Sequence, residues 1–140
     1  MVNLITGPKG SGKTQKIVAL ANEKVKSSDG NIVLIKKSHR HTDSVDFSVR
    51  AICMEDFSSI ATPDELIGFL YGMVAGNHDI ECVFIDSLLK LAGISMDTLP
   101  AFLEKLSMIS TEHKIEFYVS VAAEKAEIPA LDEGKFAFVE

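Results

Sequence analysis

The chain has 140 residues, 46% of them apolar, and a formal net charge of −6 at pH 7. This length and apolar content fit one domain, residues 1–140, that buries its own core. The acidic balance argues against nucleic acid or an anionic membrane surface as a partner, because both attract proteins with an excess of positive charge.

The first part of the chain predicts a strand, a helix and a second strand. The apolar run Val2–Thr6 stops at Gly7-Pro8, as a buried strand does before a turn. Apolar residues then recur at helical spacing over Lys13–Ser27, and Asp29-Gly30 follows as a stop signal. Residues 31–35 form an apolar run that is typical of a core strand in a parallel sheet.

Strands and helices continue to alternate along the rest of the chain. Residues 36–46 are polar and predict a loop, and Thr62-Pro63-Asp64-Glu65 predicts a helix start with a capping box. That helix ends at Gly76-Asn77, and a further helix begins within residues 97–100. The remaining strands are predicted at residues 49–54, 81–86, 114–121 and 136–139, the last of them at an edge.

This alternation predicts an α/β three-layer sandwich built around a mainly parallel sheet of five or six strands. Right-handed crossovers between parallel strands bring the carboxyl ends of the strands to one edge of the sheet. We therefore expect a ligand to bind at that edge.

The residues between the first strand and the first helix match a phosphate-binding pattern. Gly7, Gly12, Lys13 and Thr14 fit the spacing G-x-x-x-x-G-K-[ST]. Glycine lets the backbone approach a diphosphate closely, and the free amides at the helix start point at its oxygens. Lys13 is expected to reach the β- and γ-phosphates, and the Thr14 hydroxyl to coordinate Mg²⁺. The predicted nucleotide contacts are Gly7, Pro8, Lys9, Gly10, Ser11, Gly12, Lys13, Thr14 and Gln15.

A second candidate metal ligand is Asp86, which ends the apolar strand predicted before it. A carboxylate in that position can hold Mg²⁺ through water, opposite the hydroxyl of Thr14. The alternative is that Asp86 caps the turn that begins with Ser87-Leu88-Leu89.

These motifs resemble those of P-loop NTPases, with a Walker A motif at residues 7–14 and a Walker B motif at residues 83–86. Ile85-Asp86-Ser87-Leu88 is similar to the Walker B motif of RecA- and KaiC-like ATPases. The layout of the first half is similar, more distantly, to the core of bacterial-type thymidine kinases. The resemblance implies that the ligand is ATP, or another nucleoside triphosphate, together with Mg²⁺.

A RecA-like core further implies that the strand ending at Ser120 lies between the P-loop strand and the Walker B strand. Ser120 would then be placed to sense the γ-phosphate. The alternative is an ordinary hydroxyl at the end of a strand.

The groups that such relatives use for hydrolysis are harder to place in this chain. Many relatives carry a glutamate directly after the Walker B aspartate, where this chain has Ser87. Glu55, or its neighbour Asp56, is the remaining candidate to activate water, and plain solvation of a loop is the alternative reading. Arg40 is the candidate cation that acts in trans, across an interface with a second copy.

Three functions stay open at this point. The first is a slow or assembly-dependent Mg-ATPase whose catalytic residues are Lys13 and Asp86, with Glu55 and Arg40 in the roles given above. In that case a homo-oligomer or a partner protein completes the site. The second is a nucleotide-regulated binding module that does not turn over. The third is a small-molecule or nucleoside kinase, disfavoured because the chain has only two arginines and no arginine-rich lid.

The cysteines and the basic run after the second strand suggest no further site. Cys53 and Cys82 fall in predicted strands, so we expect them to be core residues that stay reduced. No spacing of cysteines and histidines fits a zinc site. The run from Lys36 to His41 is read as a solvated loop. Met1 leads directly into a strand without a signal-like segment, so the expected location is the cytoplasm.

Overall fold

A computed structural model of the chain describes residues 1–40 and 44–139, in which strands and helices alternate. The elements are β1 (Val2–Thr6), α1 (Lys13–Ser27), β2 (Asn31–Lys36), β3 (Arg50–Cys53), α2 (Pro63–Gly76), β4 (Ile80–Ile85), α3 (Leu99–His113), β5 (Glu116–Val121) and β6 (Phe136–Phe138). Short 3₁₀ turns lie at Met54–Asp56, Leu88–Lys90 and Lys125–Glu127.

The six strands form one sheet in the order β3-β2-β4-β5-β1-β6, and every neighbouring pair is parallel. The predicted α/β class and mainly parallel sheet are therefore confirmed. The strand order also places β5 between β1 and β4, as expected. All six strands point the same way, so β1, β4 and β5 end at the same edge of the sheet.

Helices cover both faces of the sheet, consistent with a three-layer sandwich. On one face Ile17 and Ala21 of α1 pack with strand residues such as Phe84. On the other face α2 and α3 pack against each other and against residues such as Leu4 and Val83. Successive strand residues point to opposite faces, which explains why strands covered on both sides are continuous apolar runs. Each fully buried Leu, Ile or Phe side chain contributes about 1.5–3 kcal/mol to stability.

The predicted helix bounds agree best where the sequence carries an explicit signal. The capping box of α2 forms as predicted, with Thr62 Oγ1 accepting from the Glu65 amide at 3.2 Å and the Glu65 carboxylate accepting from the Thr62 amide at 3.0 Å. The amide of Ala61 and the hydroxyl of Thr62 hold the pKa of Glu65 below its usual range. The predicted start of β5 at residue 114 is wrong, because Lys114 takes a left-handed conformation with φ of 55° and ends α3.

Cys53 and Cys82 are buried and free, on strands that β2 separates. Burial raises the pKa of the Cys82 thiol to about 12, so this side chain is a neutral part of the core. No helix in the described part of the chain combines the length and the apolar character that a membrane span needs.

Gly30, between α1 and β2, occupies a position that has no room for a side chain. A Cβ atom there would lie 2.5 Å from the Asp79 carbonyl oxygen and would also meet the Glu81 side chain. We expect Gly30→Ala to lower the free energy of unfolding by about 1–3 kcal/mol in urea denaturation. Gly68 is the matched control, because a Cβ there meets nothing within 4 Å. Gly68→Ala in α2 should raise stability by about 0.5–1 kcal/mol, and a Gly30→Ala variant as stable as wild type would contradict the close packing.

Candidate functional site

The glycine-rich loop, residues 7–12, turns directly from the end of β1 into α1. Gly7, Gly10 and Gly12 have φ of 144°, 84° and 88°, in a region that residues with a Cβ atom rarely adopt. A Cβ on Gly7 would also lie only 2.8 Å from Ser11 Oγ. The conformation of the loop therefore requires glycine at the two fixed positions of the pattern, Gly7 and Gly12.

The first amides of α1 precede the hydrogen-bonded part of the helix. The bond from the Lys16 amide to the Gly12 carbonyl, at 3.1 Å, closes the first turn. Gly12 stands in the N-cap position and has no side chain with which to cap the helix. The amides of Lys13, Thr14 and Gln15 therefore lie at the positive end of the helix dipole, and this position favours the binding of an anion.

The ammonium group of Lys13 lies over the loop. Its Nζ donates to the carbonyl oxygens of Gly7 and Pro8, at 3.0 and 2.7 Å, and is 3.4 Å from Ser11 Oγ. All these partners are neutral oxygens, so the positive charge is not cancelled by a carboxylate. An anion within the loop would compete with these oxygens for the ammonium group and gain a charge-assisted hydrogen bond.

Asp86 and Thr14, 72 positions apart in the sequence, meet at the edge of the sheet. Thr14 Oγ1 donates to Asp86 Oδ2 at 3.0 Å. The Asp86 amide donates to the Ile35 carbonyl at 2.9 Å, which fixes its backbone beside β2. The Asp86 carboxylate thus accepts a hydrogen bond from α1. Among the described residues, no cationic side chain forms an ion pair with it.

Ser120, at the carboxyl end of β5, completes this hydrogen-bonded group. Its hydroxyl donates to Asp86 Oδ1 at 2.9 Å and accepts from the Ser87 amide at 2.6 Å. Ser120 is fully buried, and Ser87 takes a left-handed conformation with φ of 58° and ψ of 57°. The hydroxyl thus acts as both a hydrogen-bond donor and an acceptor, and it orients the carboxylate of Asp86. The sequence did not predict this role.

A cavity of about 570 Å³ opens beside this group. One wall is the loop and the first turns of α1, and the other is the segment that follows β4 together with Ala122. The lining residues include three lysines, Lys9, Lys13 and Lys90, and no acidic residue among those described. In a chain with a net charge of −6, this cavity is a local site of positive charge.

Lys90 is a lining residue that the sequence analysis missed. A single lysine in the run Ser87-Leu88-Leu89-Lys90 has no pattern that separates it from a solvated surface lysine. The only available signal was its position four residues after the candidate metal ligand Asp86.

Glu55 and Asp56 lie elsewhere, in the 3₁₀ turn that follows β3. The Glu55 carboxylate accepts from the His39 amide at 3.2 Å, and His39 Nε2 is 3.0 Å from the Asp56 carboxylate. β3 is four strands away from β1 in the sheet, about 19 Å at the usual spacing between strands. The structure does not bring Glu55 together with Lys13, Thr14 and Asp86.

The donor atoms of His39, Glu55 and Asp56 lie within 4.8 Å of one another. All three side chains are exposed, and the hydrogen bond between His39 Nε2 and the Asp56 carboxylate accounts for their approach. This group is separate from the cavity.

The basic run after β2 is not the uniformly solvated loop that was predicted. Lys36 is the last residue of β2 and is buried, and its ammonium group donates to the carbonyl oxygen of Arg40. Arg40 itself is exposed and is not among the residues that line the cavity. His41, the last residue of that run, lies outside the described residues.

No model of a protein family matches this chain, and a search of the curated proteins found no match either.

Ser120→Ala should lower the free energy of unfolding by about 1–3 kcal/mol, because it leaves the amide of Ser87 without its buried acceptor. Urea denaturation measures this loss. Ser27→Ala is the control, since Ser27 is exposed at the end of α1 and should change stability by less than about 0.5 kcal/mol. Equal stabilities for the two variants would show that the left-handed turn at Ser87 does not depend on Ser120.

Proposed function

We propose that this chain binds ATP, or another nucleoside triphosphate, together with Mg²⁺. In this proposal it is a RecA-like P-loop NTPase that hydrolyses nucleotide slowly or only within an assembly. The observation that carries the proposal is the 3.0 Å hydrogen bond between Thr14 and Asp86, made next to an uncapped helix start and the Lys13 ammonium group. These are the parts that a magnesium polyphosphate site needs, at one edge of a parallel sheet.

The phosphates are assigned to the glycine-rich loop. The amides at the start of α1 and the ammonium group of Lys13 offer hydrogen-bond donors with partial or full positive charge. Gly7, Gly10 and Gly12 adopt positive φ without a steric penalty, and the absence of a Cβ atom lets the loop backbone approach a phosphate closely.

The metal is assigned to Thr14 and Asp86, whose chemistry fits Mg²⁺. Magnesium takes oxygen ligands, keeps several waters and is usually held by one or two protein oxygens plus the phosphates. Because the Thr14 hydroxyl donates its hydrogen bond to Asp86, its lone pairs remain available to a cation. Asp86 is held by Ser120 and can accept from water on the metal. When bound, the metal neutralises charge on the phosphate oxygens.

The RecA-like assignment is supported by the order of the strands. β5 lies between β1, which leads into the loop, and β4, which ends at Asp86. That is the arrangement implied by the resemblance of residues 7–14 and 83–86 to Walker motifs. The sheet edge shared by the three strands is where ligands of open α/β sheets bind.

Slow turnover follows from the composition of the cavity. No acidic residue in the described ranges lines it, and Glu55 lies beside His39 near the β3 edge. Ser87, which follows Asp86, cannot deprotonate water as a carboxylate does. The same observation favours a second candidate function, a nucleotide-regulated binding module without turnover.

We expect the wild-type protein to bind Mg-ATP in isothermal titration calorimetry, with a matching rise in its melting temperature. Lys13→Ala should lower the affinity at least about tenfold by removing a charged donor. Thr14→Val, which keeps the shape but lacks the hydroxyl, should abolish the gain in affinity that Mg²⁺ gives. Thr14→Ser should retain that gain.

Lys26→Ala is the control for loss of one positive charge, because Lys26 is exposed in the last turn of α1. It should bind Mg-ATP as the wild type does. A wild-type protein that binds no nucleoside triphosphate would overturn the proposal. Phosphate release by the isolated chain faster than about 1 s⁻¹ would contradict slow turnover and favour an efficient ATPase.

A further inference from the structure

Lys90 stands at the end of a short turn that is fixed at both sides. The turn follows Asp86, and its flanking residues Leu88 and Leu91 are 0% and 2% exposed. The Lys90 amide donates to the Ser87 carbonyl at 2.9 Å, and the Leu91 amide to the Leu88 carbonyl at 3.0 Å. The backbone of Lys90 is therefore held in place, while its side chain is exposed.

This turn forms the wall of the cavity opposite the loop. Lys13 and Thr14 line one side, and Ser87, Leu89 and Lys90 line the other. The turn also begins directly after Asp86, the residue that accepts the hydrogen bond of Thr14. A polyphosphate with its inner phosphates on the loop, and with its metal held by Thr14 and Asp86, would extend its terminal phosphate toward this wall.

The charge of Lys90 is not neutralised within the described part of the chain. Its ammonium group makes no ion pair or hydrogen bond there, whereas Lys105 and Lys135 pair with Asp64 and Glu104 at 2.6 and 3.3 Å. It lines the cavity together with Lys9 and Lys13, although like charges repel one another. A bound anion would remove that repulsion and add an attraction to each ammonium group.

We propose that Lys90 binds the terminal phosphate of a nucleoside triphosphate and so distinguishes it from a diphosphate. The inference rests on the proposed function and names the residue that reads the length of the phosphate chain. It also puts the additional cation within the same chain, where the sequence analysis had assigned that role to Arg40 of a second copy.

The test compares a triphosphate with a diphosphate in calorimetry. The ligands are the non-hydrolysable β,γ-imido analogue of ATP and ADP, each with Mg²⁺. Lys90→Ala and Lys90→Gln should both weaken binding of the triphosphate analogue about tenfold and change ADP binding by less than about twofold. Neither substitution removes a core contact, and glutamine keeps most of the length of the side chain. Lys26→Ala should leave both affinities unchanged.

Two results would overturn the inference while the proposed function stands. One is that both Lys90 variants bind the triphosphate analogue as tightly as wild type. The other is that they weaken both ligands equally, which would place Lys90 at an inner phosphate or the nucleoside. If wild-type protein binds neither ligand, the proposed function itself fails, and the role of Lys90 fails with it.

Discussion

The hydrogen bond from Thr14 to Asp86 is the contact on which the rest of the site depends. It joins the start of α1 to the end of β4, and it can form only because β5 alone separates β1 from β4. Near the end of the strand between them lies Ser120, whose hydroxyl is small enough to be buried and polar enough to hold the carboxylate. A larger or apolar residue at that point would leave buried polar groups without partners, at a cost of about 1–3 kcal/mol.

Residues with positive backbone φ occur on both sides of the site. Gly7, Gly10 and Gly12 have positive φ without a steric penalty, but Ser87 does so with a side chain. A left-handed residue with a Cβ atom costs about 1–2 kcal/mol. The hydrogen bond from its amide to Ser120 offsets part of that cost. Ser87 turns the chain from the end of β4 into the 3₁₀ turn that carries Lys90.

The sequence was sufficient for features that depend on neighbouring residues. The bounds of α1, the capping box at Thr62 and the parallel core strands follow from local spacing, and the structure has all of them. The approach of Asp86 to Thr14 was expected from the acid at the end of its apolar strand and from the phosphate-binding pattern, but its direct hydrogen bond was not. Three features were missed: the place of Lys90 in the cavity wall, the two hydrogen bonds of the Ser120 hydroxyl and the burial of Lys36. Each depends on how distant segments pack. The position of Glu55 also depends on the strand order, which puts β3 four strands from β1.

In the proposed function, the amides of the glycine-rich loop and the start of α1 enclose a polyphosphate. Backbone NMR spectra of the ¹⁵N-labelled protein, recorded during a titration with Mg-ATP, test this residue by residue. The account predicts that the largest shifts fall on the amides of residues 10–15, with smaller shifts at Ser87 and Lys90. Loop amides that stay unmoved at saturating nucleotide, or shifts centred on the turn at Glu55 and Asp56, would contradict it.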